Sequence, residues 1–200
     1  MKRMIIRSVA GRVSLYVVVA LAGGLFLSAC NKRPVKQAEG KVRVGTYDSR
    51  AIVAAYFFGQ FYEQDKAKQM KAAEEEVKKA KATGDKKQIA EAEAKLNNVA
   101  PKMQNVRHKQ FFSTAPVDDI LVHIQDQMQG IAKEAGVVRI VSKWDKKVLA
   151  EYKGAETVDV TMEMVKAFHP SEKQLQMAIE IQTKEPIPLE EAEKMDWSKE

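Results

Sequence analysis

The side chains able to do chemistry are few and scattered. The three histidines, His108, His123 and His169, lie far apart along the chain. The sharpest metal-site candidate pairs Asp119 with His123, because residues four apart share one helix face. Two ligands are too few for a site, and a solvated helix pair is the plainer reading. Asp118 and Asp119 sit where acids complement the positive end of a helix. No glycine-rich phosphate loop, Gly-x-Ser-x-Gly, His-Glu-x-x-His or cysteine pair occurs. The sequence therefore offers no catalytic residue, no metal site and no cofactor site, and the expectation is a protein that is not an enzyme. Trp144 reads as turn packing, Trp197 as part of a weakly ordered tail, and Met70 and Met103 as filling between helices.

The one cysteine, Cys30, carries the strongest signal. Lys2, Arg3, Arg7 and Arg12 precede Val13–Leu27, an almost unbroken apolar run too short for the roughly 20 residues that span a bilayer. Leu27-Ser28-Ala29-Cys30 follows: a branched apolar residue, two small ones, then cysteine. This resembles the lipobox of bacterial lipoproteins. It implies cleavage of residues 1–29 and acylation of Cys30, each buried methylene adding about 0.8 kcal/mol of membrane affinity. The mature chain then carries 29 Lys+Arg (33 less the four in the signal) against 27 Asp+Glu, a net of +2 instead of +6. So small an excess gives no support for nucleic-acid binding. Asn31 after the cysteine favours the outer membrane, with the protein facing the periplasm.

Residues 30–40 have no apolar periodicity and read as a tether, about 17 Å end to end as a flexible coil. Lys41–Tyr47 alternates and predicts a strand with one buried face. Asp48 or Ser49 can cap a helix whose first stretch, Ala51–Phe61, is too apolar for a solvated surface. Farther along, the apolar positions thin to Ala67, Met70, Ala73, Val77 and Ala80. Gly84 should end this helix, and Asp85 with Gln88 should start the next. Ile89, Ala92, Leu96, Val99, Met103 and Val106 then alternate spacings of three and four, as a two-helix seam requires.

Residues 49–112 thus predict an antiparallel helical hairpin, an arm roughly 50 Å long, bent at Pro101. A helix to Ala135 ended by Gly136, strands at Val137–Val141 and Val148–Tyr152, and an extended piece at Thr157–Val160 should follow. A short helix from Thr161 to Phe168 and a capped one after Ser171 and Gln174 complete the order. The fold class is α+β: a small β body with a long antiparallel helical hairpin arm, then short C-terminal helices. The folded unit spans 41–168, with 169–200 as a helical extension and tail.

This layout resembles the Skp/OmpH family of periplasmic chaperones. The likeness rests on Val42–Ser49 as the opening strand and helix start, Ile131–Val138 as the return into the body, and Val158-Asp159-Val160-Thr161 with Met164-Val165 as the closing segment. It implies a homotrimer whose arms enclose unfolded outer-membrane proteins without ATP, with Val42, Val44, Val137, Val138 and Ile140 in the body core. The lipobox, Pro101, Pro116 and residues 171–200 depart from the family pattern. The resulting expectation is a membrane-anchored holdase bound to lipid through Cys30. The alternative is a scaffolding envelope lipoprotein whose hairpin docks on a folded partner. The residues from Phe61 to Phe112 carry 12 Lys+Arg and eight Asp+Glu, so either partner would meet a modestly basic arm.

Overall fold

A computed structural model describes residues 41–197. The expected signal peptide, the tether and Cys30 lie outside the described residues. Strand β1, Arg43–Tyr47, buries Val44 on one face and Gly45 and Tyr47 on the other, so it is covered on both faces and not on the one face that its alternation predicts. It is the middle strand of a parallel three-stranded sheet with β2 (Ile140–Ser142) on one side and β3 (Glu156–Asp159) on the other. The segments from the two ends of the unit therefore do meet. Gly45 is required by closeness: a Cβ there would stand 3.1 Å from the side chains of both Ile140 and Val137.

Two sheet expectations need correction. Val148–Tyr152 is not a strand; Lys146–Glu151 forms helix α7 (α1–α6 are defined below), with the Asp145 side chain accepting the Val148 N–H at its start. That helix carries the chain across from β2 to β3, as a parallel connection demands. Val42 and Val138 are not core but 52% and 66% exposed: Val42 lies before β1, and Val138 points the opposite way from its neighbour Val137, which faces Gly45, whereas Val44 and Val137 are buried and Ile140 is half-buried.

Helix α1, Ser49–Tyr56, is buried along its whole length. It packs against α8 (Thr161–Ala167) and, most closely, against α9 (Glu172–Ile181), whose Ser171–Gln174 capping box forms as expected. Fully burying side chains such as Ile52, Val53 and Tyr56 contributes about 1.5–3 kcal/mol each. The expected helix from residue 49 to the hairpin tip is interrupted. After Tyr56 the chain turns through Phe58, at φ 60°, and restarts as α2, Gln60–Thr83. The physical reason is a change in the apolar pattern. Ala51–Phe57 is apolar all round and must be enclosed, while α2 buries only Tyr62, Ala73, Val77 and Ala80 and needs one partner face.

Gly84 ends α2 in the left-handed conformation, at φ 72°. Asp85 then caps α3 (Lys86–Asn97) by accepting the N–H groups of Lys87 and Gln88. The next break comes at Asn98, and α4 runs from Val99 to Phe112. Pro101 therefore stands in the first turn of α4, where a missing N–H costs nothing. Along the predicted seam Met103 is buried but Ala67 and Val106 are exposed; Arg107 takes the inward place beside Val106.

The single helix expected up to Ala135 is divided into α5 (Asp118–Leu121), a 3-10 turn (Val122–Ile124) and α6 (Gln125–Ala135), closed by Gly136 at φ 65°. The C-terminal segment is no loose tail. Ile187 forms an isolated parallel bridge with Ser113, Leu189–Ala192 is helix α10, and Trp197 is buried. Among the described residues, no helix is long and apolar enough to cross a membrane.

Candidate functional site: helices α2–α4 and their polar root

Helices α2 and α3 flank the Gly84 turn. Lys81 Nζ meets Glu93 Oε1 at 2.9 Å, and Lys95 Nζ meets Glu76 Oε2 at 2.6 Å. These partners are about half exposed, so each pair contributes no more than about 1 kcal/mol. None of the residues of α3, all of them described, is buried. Its main packing partners are α2 and α4.

At the other end of α2 the chain builds a dense polar and aromatic root. Tyr56 Oη donates to Asp65 Oδ2 at 2.6 Å, and His123 Nε2 lies 2.8 Å from the same oxygen. The His123 ring stacks on Tyr56 with centroids 5.5 Å apart, and Phe61 packs against it at 4.8 Å. The Arg107 guanidinium lies 4.9 Å from the centre of the Tyr56 ring and pairs with Asp119 Oδ2 at 2.6 Å. Gln110 accepts from Arg107 and donates to both Asp119 Oδ1 and the Pro116 carbonyl, each at 2.9 Å. Burial, with the hydrogen bond to Asp65, pushes the Tyr56 phenol well above its ordinary range, so it stays a proton donor.

This root joins α1, α2, α4, α5 and the 3-10 turn through one connected network. An Asp–His pair of this kind can orient an imidazole for proton transfer. Here, however, these polar groups hydrogen-bond chiefly to one another, with Arg107 Nε buried and unpartnered, and aromatic rings pack around His123. The arrangement braces helices. The candidate Asp119–His123 pairing, already set aside in favour of the plainer reading, does not form: Asp119 turns to Arg107 and His123 to Asp65. The 3-10 turn at 122–124 winds at three residues per turn and takes His123 off the face that Asp119 shares. Among the described residues, no group of three or more His, Cys, Asp or Glu could hold a metal ion.

A cleft of about 370 Å³ opens beside the carboxyl ends of β1 and β2, lined by Tyr47, Asp118, Arg139, Ser142, Trp144 and Asp145 among others. Burial, then the charges of Asp118 and Asp145, raise the Tyr47 phenol, so this side of the cleft offers a neutral hydroxyl. Trp144 packs in its turn as expected, with the Arg50 guanidinium 5.2 Å from its ring centre. Its indole N–H has no partner.

No family model, no curated protein and no solved structure matches this chain. The functional reading therefore rests on its own residues. Sequence patterns single out neither Arg50 nor Arg107, and Trp197, expected in a weakly ordered tail, is buried. An arginine between an N-cap and an apolar run was the available signal for the first. An arginine four residues after the seam residue Met103 was the signal for the second.

Proposed function

We propose that the chain is a membrane-anchored, ATP-independent holdase of the Skp/OmpH kind, in which α2, α3 and α4 form an antiparallel arm on an α+β body. One observation carries the reading: α3 buries no residue and leans on α2 and α4, while everything needed to anchor them is concentrated at the root. The cross-helix pairs support the antiparallel course. Lys81 with Glu93 and Glu76 with Lys95 step in opposite directions from Gly84. A slender, modestly basic two-helix element without a built catalytic centre suits holding unfolded chains better than transforming a small molecule. Acylated Cys30 would hold it on the outer membrane facing the periplasm, and the family likeness supports a homotrimer acting on unfolded outer-membrane proteins.

The test is light scattering of an outer-membrane β-barrel diluted from urea, with and without the mature chain. The expected result is suppressed aggregation at stoichiometric trimer, without nucleotide. Unchanged aggregation overturns the reading. Recovery of one stoichiometric folded partner from crosslinked envelopes would select the scaffolding alternative.

A further inference from the structure

The cleft at the carboxyl ends of β1 and β2 has no part in the holdase reading. These two strands are parallel neighbours that end side by side, with Tyr47 opposite Ser142. The chain after β1 leads to β2, and the chain after β2 crosses back past β1 to reach β3. Their exits part at these carboxyl ends, which is where open parallel sheets leave a crevice for ligands. The cleft of about 370 Å³ lies there.

Its acidic groups are uncompensated. Asp118 and Asp145 both line the cleft, and neither forms an ion pair among the described residues. Asp145 accepts the Val148 N–H at 3.0 Å as a helix cap, and Asp118 stands in the first turn of α5, so each carboxylate has oxygen lone pairs to spare. Arg139, the cation of the lining, is turned to Glu151 at 3.9 Å and to the Tyr152 hydroxyl at 3.5 Å. Tyr47 supplies the second observation. It is 6% exposed, yet its hydroxyl has no hydrogen-bond partner among the described residues. After burial, the charges of Asp118 and Asp145 are what raise this phenol, so both carboxylates lie within electrostatic reach of it. A buried phenol oxygen left unpaired by its own chain is a group that a ligand can complete.

The chemistry selects the ligand. An anion would meet two carboxylates. A metal ion would need a further strong ligand, and no group of three or more His, Cys, Asp or Glu is placed to hold one among the described residues. An ammonium finds carboxylates to donate to, and a neutral phenol oxygen with a lone pair for one more N–H. Leu121, Met128 and Val148 give the lining an apolar part suited to a short alkyl stem. We propose that this cleft binds an alkylammonium group, held by Asp118, Asp145 and the Tyr47 hydroxyl. Small organic amines and lysine side chains both carry that group. The proposal holds whether or not α2–α4 act on unfolded chains.

The experiment is calorimetric titration of the full mature chain in phosphatidylcholine nanodiscs, which carry no net lipid charge. The probes are pentylamine and its neutral analogue 1-pentanol, then a blocked glycyl-lysyl-glycine peptide and the same peptide with norleucine for lysine. Pentylamine should bind about tenfold more tightly than pentanol, as two exposed charge pairs together allow. Asp118→Asn, Asp145→Asn and Tyr47→Phe should each weaken pentylamine about fivefold and leave pentanol unchanged. Asparagine keeps the cap at 145 and phenylalanine keeps the ring at 47, and circular dichroism checks that each variant folds. Equal binding of pentylamine and pentanol overturns the proposal. A preference for pentylamine that survives in the folded variants overturns it too, since the charge then lies elsewhere. Lysine peptide bound more tightly than its norleucine partner supports the site and assigns it to polypeptide side chains. Pentylamine bound without the peptide supports it and assigns small organic amines.

Discussion

Asp48 and Arg50 form an ion pair that is 1% exposed on both sides. Arg50 Nη2 and Nε reach the two carboxylate oxygens at 2.8 and 3.1 Å, and Nη1 donates to the Lys184 carbonyl at 2.7 Å. Asp48 also caps α1 by accepting the Arg50 N–H at 3.0 Å. Replacing Arg50 with Met strands a buried carboxylate and leaves the Lys184 carbonyl without this donor, which should cost about 3–5 kcal/mol. Replacing Asp48 with Ser keeps a cap but strands the guanidinium, at a similar cost of about 3–5 kcal/mol. The double variant, Asp48→Ser with Arg50→Met, buries no charge and retains the cap. It should lose only about 1–2 kcal/mol, chiefly from the unpaired Lys184 carbonyl and imperfect filling. For a domain stable by about 5–15 kcal/mol, each single change is a large fraction of the whole.

Urea unfolding followed by circular dichroism measures all four corners of this cycle, with unchanged m-values as the control. Hydrogen exchange adds a second reading: Arg50→Met should speed exchange around residues 184–189 before the rest of the molecule opens. The double variant should be more stable than either single one. If its loss equals or exceeds the sum of the two, the residues act independently, and the account of a mutually compensating buried pair is wrong.

Gly84→Ala should destabilise by about 1 kcal/mol, all of it from left-handed backbone strain, because nothing lies within 4 Å of the added Cβ; a neutral result by urea unfolding would show that the turn relaxes. Tyr47 and Tyr56 are both raised in the folded state by burial first, so their contribution to stability is present below the ordinary phenol value of about 10 and is lost as pH rises beyond it. Tyrosinate absorbance of these two should appear only together with loss of circular dichroism, and Tyr56→Phe should reduce the steepness of the alkaline transition. Asp159 has the opposite sign. Desolvation raises it, but the hydrogen bonds from Thr161 and then Lys143 outweigh that and leave it lowered. Its stabilisation is present above the ordinary carboxylate value of about 3.9 and is lost as pH falls through the lowered one, so Asp159→Asn should flatten the acid side of a melting-temperature profile.

Local chain signals announced the boundaries well. Asp48, Gly84, Asp85, Gly136 and the Ser171–Gln174 box all start or stop helices where their chemistry requires. What failed was decided by tertiary context. Lys-Lys-Val-Leu-Ala-Glu at 146–151 is a short apolar run that suits strand or helix equally; the Asp145 cap and the need to cross the sheet settled it as helix. Spacing alone put Asp119 and His123 on one face, and a 3-10 turn of three residues undid that. The buried arginines were hidden because charge normally marks a solvated position; Arg50 is buried against the neighbouring Asp48 with the distant Lys184 carbonyl completing its bonds, and Arg107 against Asp119 and Gln110. Trp197 was unreadable for the same reason, since its platform, Phe112, lies far away in the chain.

In the holdase reading, the distribution of burial along the helices has a mechanical consequence. The root buries Tyr56, Arg107 and Gln110 and ties them to the half-exposed Asp119 and the partly exposed Asp65, so opening it must break several charge-assisted bonds together. Toward Gly84 the packing thins to Ala73, Val77 and Ala80 against an α3 that buries nothing, with exposed ion pairs that salt can screen. Local opening free energy should therefore fall from root to tip. Such a gradient separates two tasks that one uniform helix pair could not perform together: fixed direction at the base and compliance at the end. Without a nucleotide cycle to drive opening, the tip's compliance must come from weak packing of this kind, which small seam residues and surface ion pairs supply.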